Sequence, residues 1–172
     1  ASVRGSLYLA VLLTATIFAA ATGIVGSSVT LLGVMAAPAM KRSGYDVRMS
    51  AGAIAAGGTL GILIPPSVML IVMGPVVGVP ATDLFAAAVI PGLMLALLYI
   101  IYTLVRSYLN PALGPALPPD ERAGSVGEVV RELVLGIAPV VVVVFATLGV
   151  ILAGIATPTD AGAVGAFAVL LM

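Results

Sequence analysis

The residues of this chain that could do chemistry are hydroxyl side chains that lie beside glycine inside long apolar stretches. Ser27, Ser28 and Thr30 follow the glycine-flanked segment 23 to 26, in the middle of residues 5 to 40. Where a helix is interrupted, freed carbonyls and hydroxyls can bind a cation such as sodium, and helix-start amides can bind a carboxylate. These hydroxyls could instead only cap a short helix, so the spacing leaves both interpretations open.

Residues 49 to 82 contain a second group of helix-breaking residues. In chain order they are Gly57, Gly58, Thr59, Gly61, Pro65, Pro66 and Ser67. Two adjacent prolines remove two backbone donors, and the second disfavours the helical conformation at the first, so a continuous helix is disfavoured here. Close packing against another helix is the favoured interpretation of the glycines. For the prolines we favour a fixed break that lines a cavity over a simple kink.

Acidic side chains, basic side chains and histidine are missing from the apolar parts of the sequence. No Asp, Glu, Lys, Arg or His occurs in residues 5 to 40, 49 to 82, 84 to 105 or 133 to 159. A proton relay needs such groups within the membrane, so any coupling ion must be bound by hydroxyls and carbonyls. The chain also has no Cys and no His, which excludes thiol catalysis and the usual zinc ligands. We predict a non-enzyme with no cofactor and no metal other than sodium.

The composition identifies lipid as the medium around this chain. Of its 172 residues, 62% are hydrophobic and 8% are charged, and the mean hydropathy is +1.28. Soluble proteins have charge at roughly a quarter of their positions, far more than this chain can supply. The net charge is zero, which argues against nucleic acid as a partner. We therefore predict a multi-pass membrane protein.

The four charge-free stretches predict the helices. Residues 84 to 105 have the length of a spanning helix, whereas the first two stretches are too long for one span and are broken near their middles. In the first, the second arm, residues 29 to 40, would cover about 18 Å and could not span alone. The predicted fold is an all-α membrane protein with a re-entrant helical hairpin (7–40), a broken transmembrane helix (49–82), a transmembrane helix (84–105), a cytoplasmic loop (106–132), a second transmembrane helix (133–156) and the start of another helix (158–172).

Helix starts and membrane sidedness follow from a few polar residues. Ser125 and Glu128 have the spacing of a capping box, and the segment Thr157 to Asp160 combines a hydroxyl cap, a proline and an early carboxylate. If the first stretch is a hairpin, Arg4 joins the other basic residues, and all seven Lys and Arg lie on one face. The positive-inside rule makes that face cytoplasmic.

Five motifs together resemble one family of membrane transport proteins. They are Gly26-Ser27-Ser28-Val29, Lys41 to Asp46, Ala51 to Ser67, Ile90-Pro91-Gly92 and Gly154 to Ala161. On these motifs, the whole chain resembles the middle of the large, DctM-type permease subunit of TRAP transporters, the tripartite ATP-independent periplasmic transporters. The motifs are spread over nearly all 172 residues, so chance similarity between apolar sequences is a poor explanation. Within the last of these motifs, the family usually has Glu at the position where this chain has Asp160.

The resemblance implies a sodium-coupled symporter that takes up an organic acid, such as a dicarboxylate, across the bacterial inner membrane by an elevator mechanism. It implies two inverted repeats, each with a re-entrant hairpin and a broken helix, of which this chain would hold the first. The implied ion-binding residues are Gly26, Ser27, Ser28, Gly57, Gly58 and Thr59, and the implied substrate-cavity residues are Ser28, Val29, Thr30, Pro65, Pro66 and Ser67. The implied partners are a small DctQ-type membrane subunit and a periplasmic DctP-type substrate-binding protein.

Two other functions fit the same sequence pattern. The chain could belong to another broken-helix transporter or a channel, driven by a different ion or by none, and fluxes under separate sodium and proton gradients would distinguish these. It could also be a non-transporting membrane anchor or assembly subunit, in which case residues 23 to 30 would be closed to aqueous reagents in every state. An intramembrane hydrolase is disfavoured, because no base or metal ligand lies near a nucleophilic hydroxyl.

Overall fold

Helices account for all the regular structure in the part of the chain that the structure describes. The structure is a computed structural model and describes residues 4–117 and 126–170. Its elements are α1 (Ser6–Thr22), α2 (Val25–Arg42), α3 (Val47–Thr59), a 3-10 turn (Leu60–Ile62), α4 (Val68–Val77), α5 (Ala81–Leu109), α6 (Val126–Leu152) and α7 (Pro158–Leu170). The predicted all-α class is confirmed for these residues.

α1 and α2 form an antiparallel hairpin around a tight turn. Gly23 in the turn has a φ of +60°, in the left-handed region that glycine adopts without a side-chain clash. At the other end of the hairpin, the Tyr45 hydroxyl accepts a hydrogen bond from the amide of Leu7 at 3.2 Å. The rings of Tyr8 and Tyr45 meet edge to face, with their centroids 4.9 Å apart. The chain therefore enters α1 and leaves α2 at the same end of the molecule.

α3 and α4 are the two halves of one interrupted helix. The carboxylate of Asp46 begins α3 by accepting a hydrogen bond from the amide of Met49 at 2.8 Å. After the 3-10 turn, residues 63–67 are not helical, and α4 begins only at Val68. The cis-linked pair Pro65-Pro66 lies in this segment. Because neither proline has an amide hydrogen to donate, α3 cannot continue through it as a regular helix.

α5 returns the chain to the end of the molecule where α1 begins. Its 29 residues extend about 43 Å. Beyond its last residue, the carbonyl of Leu113 accepts hydrogen bonds from the Tyr8 hydroxyl at 2.6 Å and from the Asp46 amide at 3.1 Å. The start of α1, the start of α3 and the end of α5 are therefore joined at one end. The basic residues within a few positions of these helix ends are Arg4, Lys41, Arg42, Arg48 and Arg106.

By length and apolar composition, α5 is the one helix among the described residues that could cross a membrane. Shorter apolar helical segments are Ser6–Phe18, Val68–Val77 and Val141–Ile151. The main apolar core lies where α1, α2 and α3 pack together. Its buried members are Tyr8, Val11, Ala15, Leu32, Met40, Tyr45, Ala53 and Ile54. This core fixes the hairpin against the first half of the interrupted helix.

α6 and α7 form a second helical pair. The Thr157 hydroxyl donates to the Asp160 carboxylate at 2.6 Å, and the Asp160 amide donates back to the Thr157 hydroxyl at 3.3 Å. The helix start predicted at Thr157 to Asp160 thus lies where α7 begins. Phe85 of α5 packs with Ile151 and Ala161, which joins this pair to the rest of the molecule. The capping box predicted from Ser125 lies outside the described residues.

Several predicted boundaries differ from the observed helices. α2 begins before Ser28, so the second arm of the hairpin has 18 residues and extends about 27 Å, longer than predicted. The loop predicted at 106–132 is shorter at both ends, since α5 extends to Leu109 and α6 begins at Val126. α6 ends at Leu152, before the predicted end of its transmembrane helix. The predicted limits lie at charged residues, but Arg106 lies in the last turn of α5, where a cation is favoured by the helix dipole.

Candidate functional site

The two helix interruptions lie against each other. A Cβ atom added to Gly23 would be 2.6 Å from the carbonyl oxygen of Pro66 and 3.4 Å from the amide nitrogen of Val68. A Cβ atom added to Gly61 would be 3.5 Å from the amide nitrogen of Ile24. We refer to this zone, residues 23–24 against residues 61–68, as the helix-break contact. Two segments that are far apart in the sequence thus form one site.

Four helix ends converge at the helix-break contact. α1 and α3 end there, and α2 and α4 begin there. A helix carries a partial negative charge at its end and a partial positive charge at its start. The site therefore offers carbonyl groups that favour a cation and amide groups that favour an anion, without any charged side chain.

Close packing extends from the helix-break contact along α3. A Cβ atom on Gly58 would overlap the side chain of Val29 and lie 3.0 Å from its amide nitrogen. A Cβ atom on Gly57 would be 2.7 Å from the Cβ atom of Ala15. Both glycines are helical, so the break predicted at residues 57 to 59 begins only after Thr59. The contacts support the packing interpretation of these glycines, and they bring α2 beside α3.

A pair of hydroxyls bridges the turn of the hairpin. The Ser28 side chain is fully buried, and its Oγ lies 2.8 Å from Oγ1 of Thr22. Ser28 can donate to the carbonyl of Ile24 at 2.9 Å, and Thr22 can donate to the carbonyl of Phe18 at 3.1 Å. These three contacts between oxygen atoms would need three hydrogen atoms, but the two hydroxyls supply only two. One contact therefore has no proton, and lone pairs on these oxygens remain without a donor. Such an excess of oxygen acceptors suits a cation.

Thr22 is the residue of this pair that the sequence interpretation missed. It is the last residue of α1 and directly precedes Gly23. A hydroxyl at the end of an apolar arm, next to a glycine that permits a turn, was the available signal. The predicted ion-binding hydroxyls, those of Ser27, Ser28 and Thr59, all follow a glycine in the sequence.

The other predicted ion-binding hydroxyls lie outside this buried pair. Ser27 is exposed, with its hydroxyl bonded to the carbonyl of Ile24 at 3.1 Å. Gly26 is exposed as well, and Thr59 is half-buried and donates to the carbonyl of Ala56 at 2.6 Å. Of the predicted serines, the structure therefore brings Ser28 into the buried contact but not Ser27.

The predicted substrate-cavity residues divide in the same way. Val29 packs on Gly58, whereas Thr30 is exposed and donates to the carbonyl of Gly26 at 2.8 Å. Ser67 is fully buried, and its hydroxyl donates to the carbonyl of Ile62 at 2.8 Å. Among the described residues, no hydrogen bond ends on the carbonyls of residues 63–66. These carbonyls, which include those of the proline pair, therefore have no hydrogen-bond donor among the described residues.

The middle of α5 packs against the non-helical residues 63–67, called the irregular segment below. A Cβ atom on Gly92 would be 3.3 Å from the carbonyl oxygen of Leu63 and 3.0 Å from the side chain of Ile64. Along the helix, Gly92 is about 17 Å from Ala81 and about 26 Å from Leu109. The irregular segment thus lies at an intermediate height along the helix that could cross a membrane.

A cavity of about 720 Å³ lies away from the helix-break contact. It is between α3 and α5, towards the end where the basic residues lie, and none of the predicted substrate-cavity residues lines it. The described residues also contain no group of three or more Asp, Glu, His or Cys that could bind a metal ion.

Comparison with known families identifies the chain. Residues 2–172 match the family described as the tripartite ATP-independent periplasmic transporter, DctM component. The chain belongs to the DctM family. The predicted resemblance is confirmed, and the family motifs at Gly26 to Val29 and Ala51 to Ser67 are the segments that form the helix-break contact and its close packing.

Three DctM-family relatives are named as permeases, not as enzymes. The C4-dicarboxylate TRAP transporter large permease protein DctM of Pseudomonas aeruginosa is 37% identical over 166 residues, which is 95% of this chain. The 2,3-diketo-L-gulonate permease YiaN of Escherichia coli is 33% identical over 160 residues, or 90% of the chain, and the ectoine permease TeaC of Halomonas elongata is 30% identical over 161 residues, or 94%. The chain spans 35% to 37% of the length of these relatives.

Proposed function

We propose that this chain forms the first ion-binding half of the transport unit in a sodium-coupled permease that takes up an organic acid across the bacterial inner membrane. The observation that carries the proposal is the contact between the Gly23 turn and the Pro66 carbonyl. The segment before Pro66 packs on Gly92, about 17 Å from the start of α5. Backbone without hydrogen-bond partners is tolerated at membrane depth only where it faces protein, water or a ligand. A helix break buried beside a second helix break fits that requirement.

The height of the helix-break contact supports a re-entrant hairpin. Both outer ends of the hairpin lie at the basic end of the molecule, bound through Tyr45 and near Leu113. Its turn contacts Gly61 and Pro66, and the segment between those two residues packs on Gly92. α5 continues beyond Gly92 for about 17 Å. The hairpin therefore stops short of the far end of α5. This relation replaces the length of the second arm as the reason to propose that the hairpin enters and leaves on one face.

Sodium is the coupling ion that the available groups favour. The described residues of the apolar stretches offer hydroxyl and carbonyl oxygens but no Asp, Glu, Lys, Arg or His side chain of the kind a proton relay uses. Ser28, Thr22 and the carbonyls of residues 63–66, which accept no hydrogen bond from the described residues, supply oxygen atoms close to the ends of α1 and α3. Gly26, Ser27, Gly57, Gly58 and Thr59 remain proposed members of the ion site as the family resemblance implies.

A carboxylate is the solute group that the helix starts favour. α2 and α4 both begin at the helix-break contact, and their first amides present partial positive charge. The relatives are named for three different solutes, so similarity supports an organic acid without fixing which one is carried. Val29, Thr30, Pro65, Pro66 and Ser67 are the proposed residues around this solute, together with Ser28.

The proposal extends to the whole protein. We propose that a second, inverted copy of the hairpin and broken helix completes the site, and that the combined unit moves by an elevator mechanism. The proposed partners are a small DctQ-type membrane subunit and a periplasmic DctP-type binding protein. These expectations follow from the family, because this chain covers little more than a third of its relatives.

The accessibility of the turn tests the central observation. The chain has no cysteine, so Ile24→Cys can be labelled as a single site in the full-length permease, provided that cysteines elsewhere in that protein are replaced. We expect a membrane-impermeant thiol reagent to react at position 24 and sodium to slow the reaction. Leu93→Cys is the matched control, because Leu93 is exposed on α5 at the same height and should face lipid. An unreactive position 24 in every ionic condition would favour a non-transporting subunit.

Ion coupling needs a separate measurement. The full-length permease and its partners would be placed in liposomes, and uptake of radiolabelled C4-dicarboxylate would be compared under a sodium gradient, a proton gradient and no gradient. Uptake driven by sodium alone supports the proposal. Uptake under the proton gradient, or equal flux without any gradient, would favour another transporter or a channel.

A further inference from the structure

The cavity between α3 and α5 is a groove that runs along both helices. Arg48, Gly52 and Ala56 follow one another at four-residue spacing on α3, and Tyr99 and Arg106 line the opposite wall. The two helices run in opposite directions, so both arginines lie at the same end. From Arg48 to Ala56 the groove extends about 12 Å. It is thus charged at its mouth and mostly apolar along its length.

The mouth of the groove carries net positive charge. Arg48 and Arg106 are exposed, and neither has an ion-pair partner among the described residues. Asp46 also lines the groove and contributes one negative charge. One of its carboxylate oxygens accepts the Met49 amide at the start of α3. Two arginines and one carboxylate leave one positive charge at the mouth.

Gly52 keeps the groove open. A Cβ atom added there would meet nothing within 4 Å, and its φ is not in the left-handed region. Neither packing nor backbone conformation therefore requires glycine at this position. Gly57 and Gly58, on the same helix, are in contrast both required by close neighbours. A larger side chain at position 52 would fill part of the groove.

We propose that this groove binds one anionic phospholipid, with the headgroup phosphate between Arg48 and Arg106 and an acyl chain along Gly52, Ala56 and Tyr99. Guanidinium groups bind phosphate oxygens in a bidentate manner, and basic pockets between membrane helices suit anionic headgroups. Tyr102 also lines the groove, one turn from Arg106, and tyrosine rings are favoured at the level where headgroups meet acyl chains. The apolar length and the charged mouth together match a lipid better than a small soluble anion, which would leave the apolar walls unfilled.

Lipid retention by the purified full-length permease tests the proposal. Native mass spectrometry would compare phosphatidylglycerol with phosphatidylcholine added to the same detergent. We expect selective retention of phosphatidylglycerol, weakened about fivefold by Arg48→Gln or Arg106→Gln and about 25-fold by both together. Gly52→Phe should reduce retention with both arginines in place, since it fills the apolar part of the groove.

Matched controls separate this site from general charge and size effects. Arg42→Gln removes a basic residue at the same end outside the groove, and Gly33→Phe adds the same side chain at another open glycine. Both should retain the lipid as the unaltered protein does.

Equal binding of the two lipids would overturn the proposal, and so would full retention in both the double arginine variant and Gly52→Phe. Displacement of the lipid by millimolar inorganic phosphate would overturn the role of the acyl chain. If the double variant elutes as an aggregate, Gly52→Phe alone decides.

Discussion

The Thr22 hydroxyl lies 2.8 Å from the Ser28 hydroxyl across the turn of the hairpin. This contact joins the last residue of α1 to the first turn of α2, at the point where the second helix interruption also lies. It places two hydroxyl oxygens and two carbonyls within one partly buried cluster. The local geometry thus provides a specific, removable part of the proposed sodium site.

Ser28→Ala should weaken sodium binding by the full-length permease about tenfold, since it removes one oxygen ligand worth about 1.4 kcal/mol. Binding of radioactive sodium to the purified protein measures the effect without a transported solute. Ser107→Ala is the control, because Ser107 is equally buried and its hydroxyl also donates to a carbonyl four residues earlier, at 2.8 Å. If Ser28→Ala and Ser107→Ala bind sodium alike, Ser28 is not a ligand.

Thr22→Val should weaken sodium binding as well, and its effect should not add to that of Ser28→Ala. The two hydroxyls are in contact, so removal of either disturbs the same cluster. Thr147→Val is the matched control, because the Thr147 hydroxyl donates to a carbonyl four residues earlier but lies on α6. Strictly additive losses of binding free energy would show that the hydroxyls act at separate places.

Gly23→Ala should destabilise the protein more than an equivalent change at another left-handed glycine. Gly78 has a φ of +73° with nothing within 4 Å of an added Cβ atom, so Gly78→Ala reports only the conformational cost of about 1 kcal/mol. Gly23→Ala has the same cost and also drives a Cβ atom towards the Pro66 carbonyl, 2.6 Å away. Thermal unfolding of the two full-length variants measures the difference. Equal midpoints would mean that the two helix interruptions do not touch.

Gly58→Ala should also be destabilising, by about 1 to 3 kcal/mol, because its new methyl group would overlap Val29. Gly52→Ala is the control on the same helix, since an added Cβ atom there meets open space. Val29→Ala should recover part of the loss in a Gly58→Ala background, as expected for two residues in contact. Independent effects of the two substitutions would contradict the packing of α2 on α3.

The positions of the helix breaks were predictable, but their extents were not. Gly23 and the proline pair favour an interruption, because glycine permits a left-handed turn and two adjacent prolines remove two backbone donors. Ser27 and Ser28 were expected outside a helix, yet their hydroxyls bond to the Ile24 carbonyl and leave the first turn of α2 intact. Hydroxyls tolerate both states, so sequence alone could not decide between them.

The pairing of distant segments was also beyond local sequence patterns. The family resemblance grouped the hairpin turn with the second interruption, and the structure places Gly23 against Pro66 and Val29 against Gly58. Thr22 was missed because the predicted ion-binding hydroxyls all follow a glycine, whereas Thr22 precedes Gly23. The groove between α3 and α5 depends on two helices that are far apart in sequence, so neither helix predicts it alone.

The two buried tyrosines at the basic end provide a last prediction, on what holds the hairpin in place. The Tyr8 hydroxyl donates to the Leu113 carbonyl at 2.6 Å, and this bond joins α1 to the segment after α5. Tyr8→Phe keeps the ring that packs on Tyr45 but removes the bond, and should lower the free energy of unfolding by about 1 kcal/mol. Tyr102→Phe is the control, because Tyr102 is 61% exposed. Thermal unfolding of the full-length variants measures both. A Tyr8→Phe variant as stable as Tyr102→Phe would mean that apolar packing of α1, α2 and α3 alone anchors the hairpin.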